Sequence, residues 1–317
     1  MDKIKKIAVI GAGVMGPGIA QALASGGYPV SIWDPIPEAR EKGKERLSGG
    51  VQTFIRCGVI SDGEAKDIVS RITFEETQEA AVNGAGLIIE AIVENAEIKR
   101  VFYQQLSEMI SPDVIVASNT SALNIFEIVP EKMLPQQLIM HWYGPAQLVP
   151  LVEVVKSEQA PQEFADIAMD VLRQCGKAPV YMKKFIQGYI VNRLQQCLNR
   201  EVFYLLDNDI CTAADIDYAA KVSFIPRAMV LGLCKKIDFG GVDMTIKNYR
   251  NHSYTLPPEV ELPATLEKLD KEGAYGIKTG KGLYDYSGAD IEQLLEKRDE
   301  QLVAAYKLAM DMLKDPV

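Results

Sequence analysis

A glycine-rich turn, Gly11-Ala12-Gly13-Val14-Met15-Gly16, separates an apolar run at residues 4–10 from a segment with apolar residues at helical spacing. A second apolar run, residues 29–33, ends at Asp34. Strand, turn, helix and strand in this order form a βαβ unit, which requires a parallel sheet. The sequence therefore predicts an α/β protein that begins with a Rossmann-type doubly wound sheet.

The same turn is suited to binding a dinucleotide. Gly11 allows the tight turn, Gly13 lets the backbone approach a pyrophosphate, and Gly16 permits close packing of helix on strand. The helix N-terminus directs N–H groups at the anion, and the turn residues that would line it are Gly11, Gly13, Val14, Met15 and Gly16. A turn that serves chain geometry alone is the alternative interpretation.

Asp34 indicates which dinucleotide is bound. It stands 18 residues after Gly16, at the end of the second strand, where a carboxylate accepts hydrogen bonds from ribose hydroxyls and repels a 2′-phosphate. The first base after it is Arg40, so no cation directly follows to neutralise such a phosphate. We therefore expect NAD rather than NADP.

The rest of the chain divides into a sheet-forming part and a helical part. Residues 35–72 have a charged, helical pattern, and short apolar runs follow at 87–93, 113–119, 138–141, 150–155 and near 180. Beyond residue 184 the apolar residues recur at helical spacing, and one such stripe runs from Ile291 to Met312. We predict an NAD-binding Rossmann domain at 1–183, an all-helical substrate and dimerisation domain at 184–288 and a helical extension at 289–317.

Composition narrows the possible partners. The formal net charge of −9 gives no basic footprint for nucleic acid or an anionic membrane, and no run of about 18 apolar residues suggests a membrane span. The N-terminus leads directly into the first strand pattern, so we expect a cytoplasmic protein. Five scattered cysteines without a CxxC pair predict reduced thiols and no metal site.

The two histidines differ in their surroundings. His141 ends an apolar strand, and Glu153 lies twelve residues later inside the apolar run PLVEVV, where a carboxylate needs a partner. Neighbouring strands joined by a short loop would bring Glu153 to one imidazole nitrogen and leave the other nitrogen to act as a base. A purely structural His–Glu pair is the alternative. His252, in a polar stretch, is interpreted as a solvated loop residue.

Six ordered motifs together resemble the L-3-hydroxyacyl-CoA dehydrogenase family over residues 5–286. They are GAGVMG, IIEAIVENAEIK, ASNTSAL, MHWYGPAQLVPLVEVV, QGYIVNRL and KTGKGLYDY. The resemblance implies that His141 and Glu153 form a catalytic dyad and that Ser121 and Asn192 hold the substrate oxygens. It also implies an NAD site that includes Glu94, Lys99, Asn119 and Lys278, and a homodimer joined through the helical domain. Taken alone, Ser121 would be interpreted as a helix N-cap and Asn192 as an ordinary helix residue.

The sequence departs from the family pattern around the substrate. Gly144 replaces an asparagine that follows two aromatics, Gln187 replaces a proline, and RAMVLGLCKKIDFGGVD replaces a Gly-Pro-[Phe/Leu]-Glu segment. Members that use a CoA thioester carry a serine and a lysine on the helix after the second strand. This chain offers only Ser48, Arg46 and Arg56 there.

Three functional hypotheses follow from these features. The first is an NAD-dependent dehydrogenase of L-3-hydroxyacyl-CoA thioesters, which would belong to fatty-acid or butyrate-type metabolism. The second keeps the chemistry but takes a free 3-hydroxy acid, because the C-terminal helix resembles that of the gulonate and carnitine dehydrogenases. Arg227 could then bind the substrate carboxylate, or be a plain surface arginine. The third is a catalytically silent NAD-binding protein, suggested by the missing asparagine at position 144.

Overall fold

The fold is that of a computed structural model, and residues 4–316 are described. Two compact units divide the chain, with the boundary between Ile190 and Val191. The predicted domain boundary at residue 183 stays a prediction. A separate extension at residues 289–317 stays a prediction.

The first unit contains one eight-stranded sheet with strand order β3-β2-β1-β4-β5-β6-β7-β8. The strands are β1 (Ile7–Ile10), β2 (Val30–Trp33), β3 (Ile72–Phe74), β4 (Leu87–Glu90), β5 (Ile115–Ser118), β6 (Gln137–Trp142), β7 (Leu151–Lys156) and β8 (Ala178–Met182). The helices of this unit are α1 (Gly16–Ser25), α2 (Pro37–Arg56), α3 (Asp62–Ser70), α4 (Gln78–Val82), α5 (Ala96–Leu106) and α6 (Gln162–Gln174). The predicted doubly wound α/β fold is confirmed.

Burial explains why the central strands consist of continuous apolar runs in the amino-acid sequence. Every residue of β1, β4 and β5 is buried, because helices and loops cover both faces of the sheet. Two apolar clusters form, one on each face, and successive residues of β1 alternate between them: Ile7 and Val9 join one cluster, Ala8 and Ile10 the other.

The edge strand β3 is a correction to the sequence-based interpretation, which described residues 35–72 as a helical excursion leading directly to the strand at 87. β3 pairs in parallel with β2, from Ile72 opposite Val30 to Phe74 opposite Ile32. It is only three residues long, and none of them is fully buried. A short, half-exposed edge strand lacks the apolar run that revealed the central strands.

β6 and β7 are antiparallel, whereas the other paired strands of the described sheet run parallel. The short connection at residues 143–150 reverses the chain direction, as a hairpin loop does. In the resulting register His141 stands directly opposite Glu153. The antiparallel pair therefore aligns these two side chains on the same face of the sheet.

The second unit is helical, as predicted. It contains α7 (Val191–Asp207), α8 (Ala213–Ala219), α9 (Ile225–Gly240), α10 (Val242–Arg250), α11 (Ala264–Lys271) and α12 (Ile291–Met312), with a π-helical turn at Ala220–Phe224. Gly232, with φ of +70° and ψ of −178°, interrupts α9. The predicted C-terminal helix has the bounds expected from its apolar stripe. Within residues 4–316, no helix has the length and apolar character that crossing a membrane requires.

Candidate active site

Several of the residues predicted to bind the cofactor follow strands that end at one edge of the sheet. β1, β2, β4, β5 and β6 run parallel, so the segments after them meet at their common carboxyl edge. β1 lies between β2 and β4, which is where the strand order reverses. Ligands of doubly wound sheets bind in the crevice at such a switch point.

The glycine turn after β1 leaves its backbone uncovered. Gly11 has φ of +113°, and a Cβ atom there would lie 2.4 Å from the carbonyl oxygen of Ala91. A Cβ atom on Gly16 would lie 1.8 Å from the carbonyl oxygen of Gly11. A Cβ atom on Gly13, in contrast, would meet nothing within 4 Å. Two glycines are thus required by packing, while the third leaves open space for a ligand.

The N-terminus of α1 is suited to receiving that ligand's anionic part. Met15 occupies the N-cap position and provides no side-chain capping hydrogen bond, and Val14 beside it is exposed. N–H groups at a helix start attract phosphate. The open turn therefore fits the pyrophosphate of NAD.

Asp34 is held against the turn by backbone N–H groups. Its Oδ2 atom accepts a hydrogen bond from Ala12 N–H at 2.9 Å, and Oδ1 accepts one from Ile36 N–H at 3.0 Å. Arg40 donates to the carbonyl oxygen of Asp34 and pairs with Glu76 at 2.7 Å. The guanidinium nearest to Asp34 is thus engaged by another carboxylate, so the site fits a ribose with a free 2′-hydroxyl.

A buried ionic cluster lies at the end of β4. Glu90 is fully buried, and its Oε1 atom lies 2.5 Å from the Nζ atom of Lys99, which is 1% exposed. Tyr103 and Ser118 donate to Oε2 at 3.0 and 2.6 Å. Burial, and then the charge of Glu90, raise the pKa of Tyr103 well above its usual value. Sequence reasoning missed Glu90, although a carboxylate that ends the apolar run LIIE was a signal.

Glu94 organises the turn after β5. Its Oε1 atom accepts hydrogen bonds from Thr120 Oγ1 at 2.6 Å, Ser121 N–H at 2.9 Å and Ala122 N–H at 3.0 Å. Burial raises the pKa of Glu94, but these hydrogen bonds and the charge of Lys99 outweigh it and hold the pKa below its usual value. Lys99 Nζ lies 3.4 Å from Glu94 Oε2. Lys99 thus lies in the interior between two carboxylates, and its predicted contact with NAD stays a prediction.

His141 and Glu153 form a buried pair. The Nδ1 atom of His141 lies 3.0 Å from Glu153 Oε2, and the two side chains are 3% and 0% exposed. The other carboxylate oxygen, Oε1, accepts a hydrogen bond from Ile190 N–H at 2.9 Å. Asn119 joins the ends of β5 and β6, because its Oδ1 atom accepts a hydrogen bond from Trp142 N–H at 2.9 Å.

Two tyrosines that sequence reasoning did not select enclose the imidazole. Tyr189 stacks on His141 with ring centroids 4.4 Å apart, and its hydroxyl donates to the carbonyl oxygen of Thr120 at 2.7 Å. Tyr143 meets the ring edge to face at 4.5 Å, and its hydroxyl donates to Glu153 Oε2 at 2.7 Å. Their positions in the motifs HWYGP and QGYIVNRL were the available signal.

The loop after His141 is anchored by a buried lysine that sequence reasoning also missed. Lys177 Nζ donates to the carbonyl oxygens of Ala146 at 2.7 Å, Gln147 at 3.1 Å and Val149 at 2.9 Å. Burial lowers the pKa of Lys177 to about 8. The loop contains Gly144, so this lysine holds the segment in which the sequence departs from the family pattern.

The remaining predicted residues belong to the second unit. Asn192 lies in the first turn of α7, Lys278 is exposed in the turn at residues 276–281, and Arg227 is exposed in α9, where its Nε atom donates to Ser223 O at 3.1 Å. Their predicted contacts with NAD or substrate stay predictions. His252 is exposed in the turn after α10, as expected for a loop residue.

Comparison with known proteins identifies the family. Residues 6–185 match the model of the 3-hydroxyacyl-CoA dehydrogenase NAD binding domain, and residues 188–286 match that of the 3-hydroxyacyl-CoA dehydrogenase C-terminal domain. A probable 3-hydroxybutyryl-CoA dehydrogenase of Bacillus subtilis is 34% identical over 90% of this chain and 98% of its own length.

Two further relatives match over more of the chain. The 5-formyl-3-hydroxy-2-methylpyridine 4-carboxylate 5-dehydrogenase of Mesorhizobium japonicum is 32% identical over 96% of this chain and 98% of its own length. The L-carnitine dehydrogenase of Pseudomonas aeruginosa is 30% identical over 96% of this chain and 94% of its own length.

A solved structure gives the same result. The crystal structure of a 5-formyl-3-hydroxy-2-methylpyridine 4-carboxylic acid 5-dehydrogenase, an NAD+ dependent dismutase, superposes with a TM-score of 0.85 at 28% identity, over 97% of this chain and 99% of that chain. The chain therefore belongs to the 3-hydroxyacyl-CoA dehydrogenase family of NAD-dependent oxidoreductases that act on a CH–OH group.

Proposed function

We propose that His141 is the general base and acid of this dehydrogenase and that Glu153 orients it. The observation that carries the proposal is the buried contact of 3.0 Å between His141 Nδ1 and Glu153 Oε2. A carboxylate on Nδ1 selects the tautomer with the proton on that nitrogen and leaves a lone pair on Nε2. The pair lies at the sheet edge that also carries the glycine turn and Asp34.

The chemistry divides between proton and hydride. In alcohol oxidation, Nε2 of His141 takes the hydroxyl proton, and Glu153 stabilises the imidazolium that forms. NAD, when bound, supplies the acceptor for the hydride that leaves the same carbon. In carbonyl reduction the imidazolium returns the proton to the oxygen. Ser121 and Asn192 are proposed to hold the substrate oxygen, and Glu94 fixes the backbone of Ser121 for that role.

For the substrate, we propose a free carboxylic acid with a hydroxyl or carbonyl group. The relatives named for a pyridine carboxylate and for L-carnitine match 96% of the chain, whereas the relative named for a CoA thioester matches 90%. The two arginines that α2 offers in place of the CoA-binding serine and lysine donate hydrogen bonds to nearby atoms of the protein. Arg46 donates to Ala12 O at 3.5 Å and Arg56 to Thr53 Oγ1 at 3.3 Å. Arg227 is the proposed ligand of the substrate carboxylate.

An L-3-hydroxyacyl-CoA thioester is the second candidate, favoured by the 34% identity to the Bacillus subtilis relative. Purified protein with NADH should be given acetoacetyl-CoA and acetoacetate, and with NAD it should be given L-carnitine. Turnover of a free acid without turnover of acetoacetyl-CoA supports the proposal. Turnover of acetoacetyl-CoA alone would overturn the free-acid assignment. Absence of turnover with the panel, together with tight NADH binding, would favour a catalytically silent NAD-binding protein.

Arg227 provides a sharper test of the substrate class. Arg227→Met should raise KM for the free acid by at least about tenfold, since a bidentate carboxylate contact is lost. Arg250→Met, on the exposed surface of α10, is the matched control and should leave KM unchanged. Equal effects of the two variants would remove Arg227 from the substrate site.

We also propose that the chain forms a homodimer through its helical unit. Within the described residues, none of the helices α7–α12 contains a fully buried side chain in the single chain. Exposed apolar residues of α9 and α10 are Ile225, Met229, Val230, Leu233, Ile237, Phe239, Val242, Met244 and Ile246. A surface this apolar is typical of an obligate interface. Light scattering should give twice the chain mass of 35.0 kDa, and a mass of one chain would contradict the proposal.

A further inference from the structure

The carboxylate of Glu153 accepts a hydrogen bond from a further donor besides His141 and the backbone. Its Oε2 atom accepts hydrogen bonds from His141 Nδ1 at 3.0 Å and from the Tyr143 hydroxyl at 2.7 Å, while Oε1 accepts one from Ile190 N–H at 2.9 Å. We propose that Tyr143 is a positioning residue that weakens the hold of Glu153 on the His141 proton and thereby sets the pH range over which the dyad works. The inference rests on the proposed role of the His141–Glu153 pair.

The strand geometry explains how the phenol reaches this oxygen. Tyr143 is the first residue after β6, two positions beyond His141, and its hydroxyl lies 2.7 Å from Glu153 Oε2. Glu153 lies opposite His141 in the antiparallel ladder, within reach of both. The Tyr143 ring stands at 61° to the imidazole, with centroids 4.5 Å apart. The ring therefore also confines the imidazole laterally.

Sharing one oxygen has an electrostatic consequence. Each donor disperses part of the negative charge of the carboxylate, so Oε2 attracts the Nδ1 proton less than it would with a single donor. Because the pair is buried, water does not screen this difference as it would at the surface. Without the Tyr143 hydroxyl, Glu153 would stabilise the imidazolium more strongly.

The two reaction directions need opposite forms of His141. Oxidation of an alcohol begins with the neutral imidazole, and reduction of a carbonyl begins with the imidazolium. A donor that reduces the stabilisation of the imidazolium by Glu153 lets the neutral imidazole act as a base at lower pH. Tyr143 thus shifts the pH profiles of both oxidation and reduction toward acidic pH.

Tyr189 has a different function despite its equal proximity to the imidazole. Its hydroxyl donates to Thr120 O rather than to the carboxylate. Burial, and then the charges of Glu94 and Glu153, raise the pKa of Tyr189, so its phenol stays a donor. Removing this hydroxyl leaves a buried carbonyl without its donor, but the donors of Glu153 remain in place. Tyr189→Phe is therefore a matched control on the same imidazole.

The test is Tyr143→Phe, which keeps the ring and removes the hydroxyl. We expect the acidic limb of the pH profile of kcat/KM for oxidation of L-carnitine or L-3-hydroxybutyryl-CoA, whichever is turned over, to move up by about half a pH unit. The alkaline limb of the corresponding pH profile for carbonyl reduction should also move to higher pH. Tyr181→Phe removes a hydroxyl that donates to Gln162 on the surface and should change neither profile.

A second readout requires no substrate. The chain has two histidines, so histidine-labelled protein gives two sets of ring signals in NMR spectra, and His252→Gln assigns them. The Nδ1 proton of His141 should move downfield in Tyr143→Phe, because the hydrogen bond to Glu153 becomes stronger. It should stay within about 0.2 ppm of its wild-type position in Tyr189→Phe, since that hydroxyl does not share the carboxylate.

Two outcomes separate failure of this inference from failure of the proposed function. If Glu153→Gln strongly lowers turnover while Tyr143→Phe keeps the wild-type pH profile and Nδ1 signal, the inference about Tyr143 is wrong and the dyad stands. If Glu153→Gln leaves turnover unchanged, the dyad itself is wrong, and the inference fails with it.

Discussion

Lys99 Nζ lies 2.5 Å from Glu90 Oε1, and neither side chain has more than 1% of its surface exposed. Removing one partner of a buried ion pair leaves the other charge uncompensated, which costs about 3–5 kcal/mol. We therefore expect Lys99→Met to lower the melting temperature strongly, by about 5 °C or more. Differential scanning fluorimetry measures this change.

The neighbouring pair on α5 supplies the control. Arg100 and Glu97 are also 2.5 Å apart but largely exposed, so Arg100→Met should change stability by less than about 1 kcal/mol. The double variant Glu90→Gln/Lys99→Met should be more stable than Lys99→Met alone, because the uncompensated charge of the buried Glu90 carboxylate is removed as well. A Lys99→Met protein as stable as Arg100→Met would show that the buried pair is not needed.

The two glycines Gly13 and Gly16 should respond differently to alanine. A methyl group on Gly16 would overlap Gly11 O at 1.8 Å, so Gly16→Ala should reduce the yield of folded protein. A methyl group on Gly13 meets nothing within 4 Å, so Gly13→Ala should keep the wild-type melting temperature. It should nevertheless weaken NADH binding by at least about tenfold, because the added methyl group fills the space in which the pyrophosphate would lie close to the backbone. Wild-type NADH affinity in Gly13→Ala would move the pyrophosphate away from this turn.

Asp34 should determine the preference between the two nicotinamide cofactors. Its carboxylate accepts hydrogen bonds from Ala12 N–H and Ile36 N–H at the end of β2, the position at which Rossmann folds bind the adenosine ribose. Asp34→Ser removes the negative charge, so NADH should bind at least about tenfold more weakly while NADPH binding stays equal or improves. Fluorescence titration with both cofactors measures the ratio. An unchanged ratio would show that Asp34 does not contact the ribose.

The sequence predicts the fold well where burial is continuous. β1, β4 and β5 are buried throughout and appear as apolar runs, and the glycine turn determines how the first of them connects to a helix. β3 escaped prediction because its three residues are half exposed. Periodicity detects a strand only when one or both faces are covered.

The site is less predictable because its contacts are long-range. His141 and Glu153 could be paired from sequence since a short loop joins their strands. The side-chain donors to Glu90 come from residues 99, 103 and 118, and no local pattern indicates that they converge on one carboxylate. Tyr189 reaches His141 only because the chain returns to the sheet edge after β8. Such convergence depends on tertiary packing.

Variants of the proposed dyad should affect the chemical step more than cofactor binding. His141→Ala removes the base and should lower kcat by about 10²- to 10⁴-fold. Glu153→Gln keeps a hydrogen-bond acceptor but loses the charge that stabilises the imidazolium, so its kcat should fall less. NADH affinity, measured by fluorescence titration, should stay near the wild-type value in both. His252→Ala, on an exposed turn, should match the wild type, and equal activity of His141→Ala would contradict the assignment.

Lys177 should make stability depend on pH. Burial lowers its pKa from 10.5 to about 8, so between these values the unfolded chain binds more protons than the folded chain. Stability from this group therefore rises with pH across that window, and the cost of the buried charge is fully present below about pH 8. Lys177→Met removes this titration and leaves three carbonyl oxygens without their donor.

We expect Lys177→Met to melt at a lower temperature than the wild type, because each unpaired buried carbonyl costs about 1–3 kcal/mol. The difference should widen as pH rises from 8 to 10, since only the wild type gains stability there. Lys132→Met, which removes an exposed lysine paired with Glu108, is the control and should give a small, constant difference. A constant difference for Lys177→Met across the same range would mean that Lys177 keeps its proton throughout, with the three carbonyl contacts outweighing its burial.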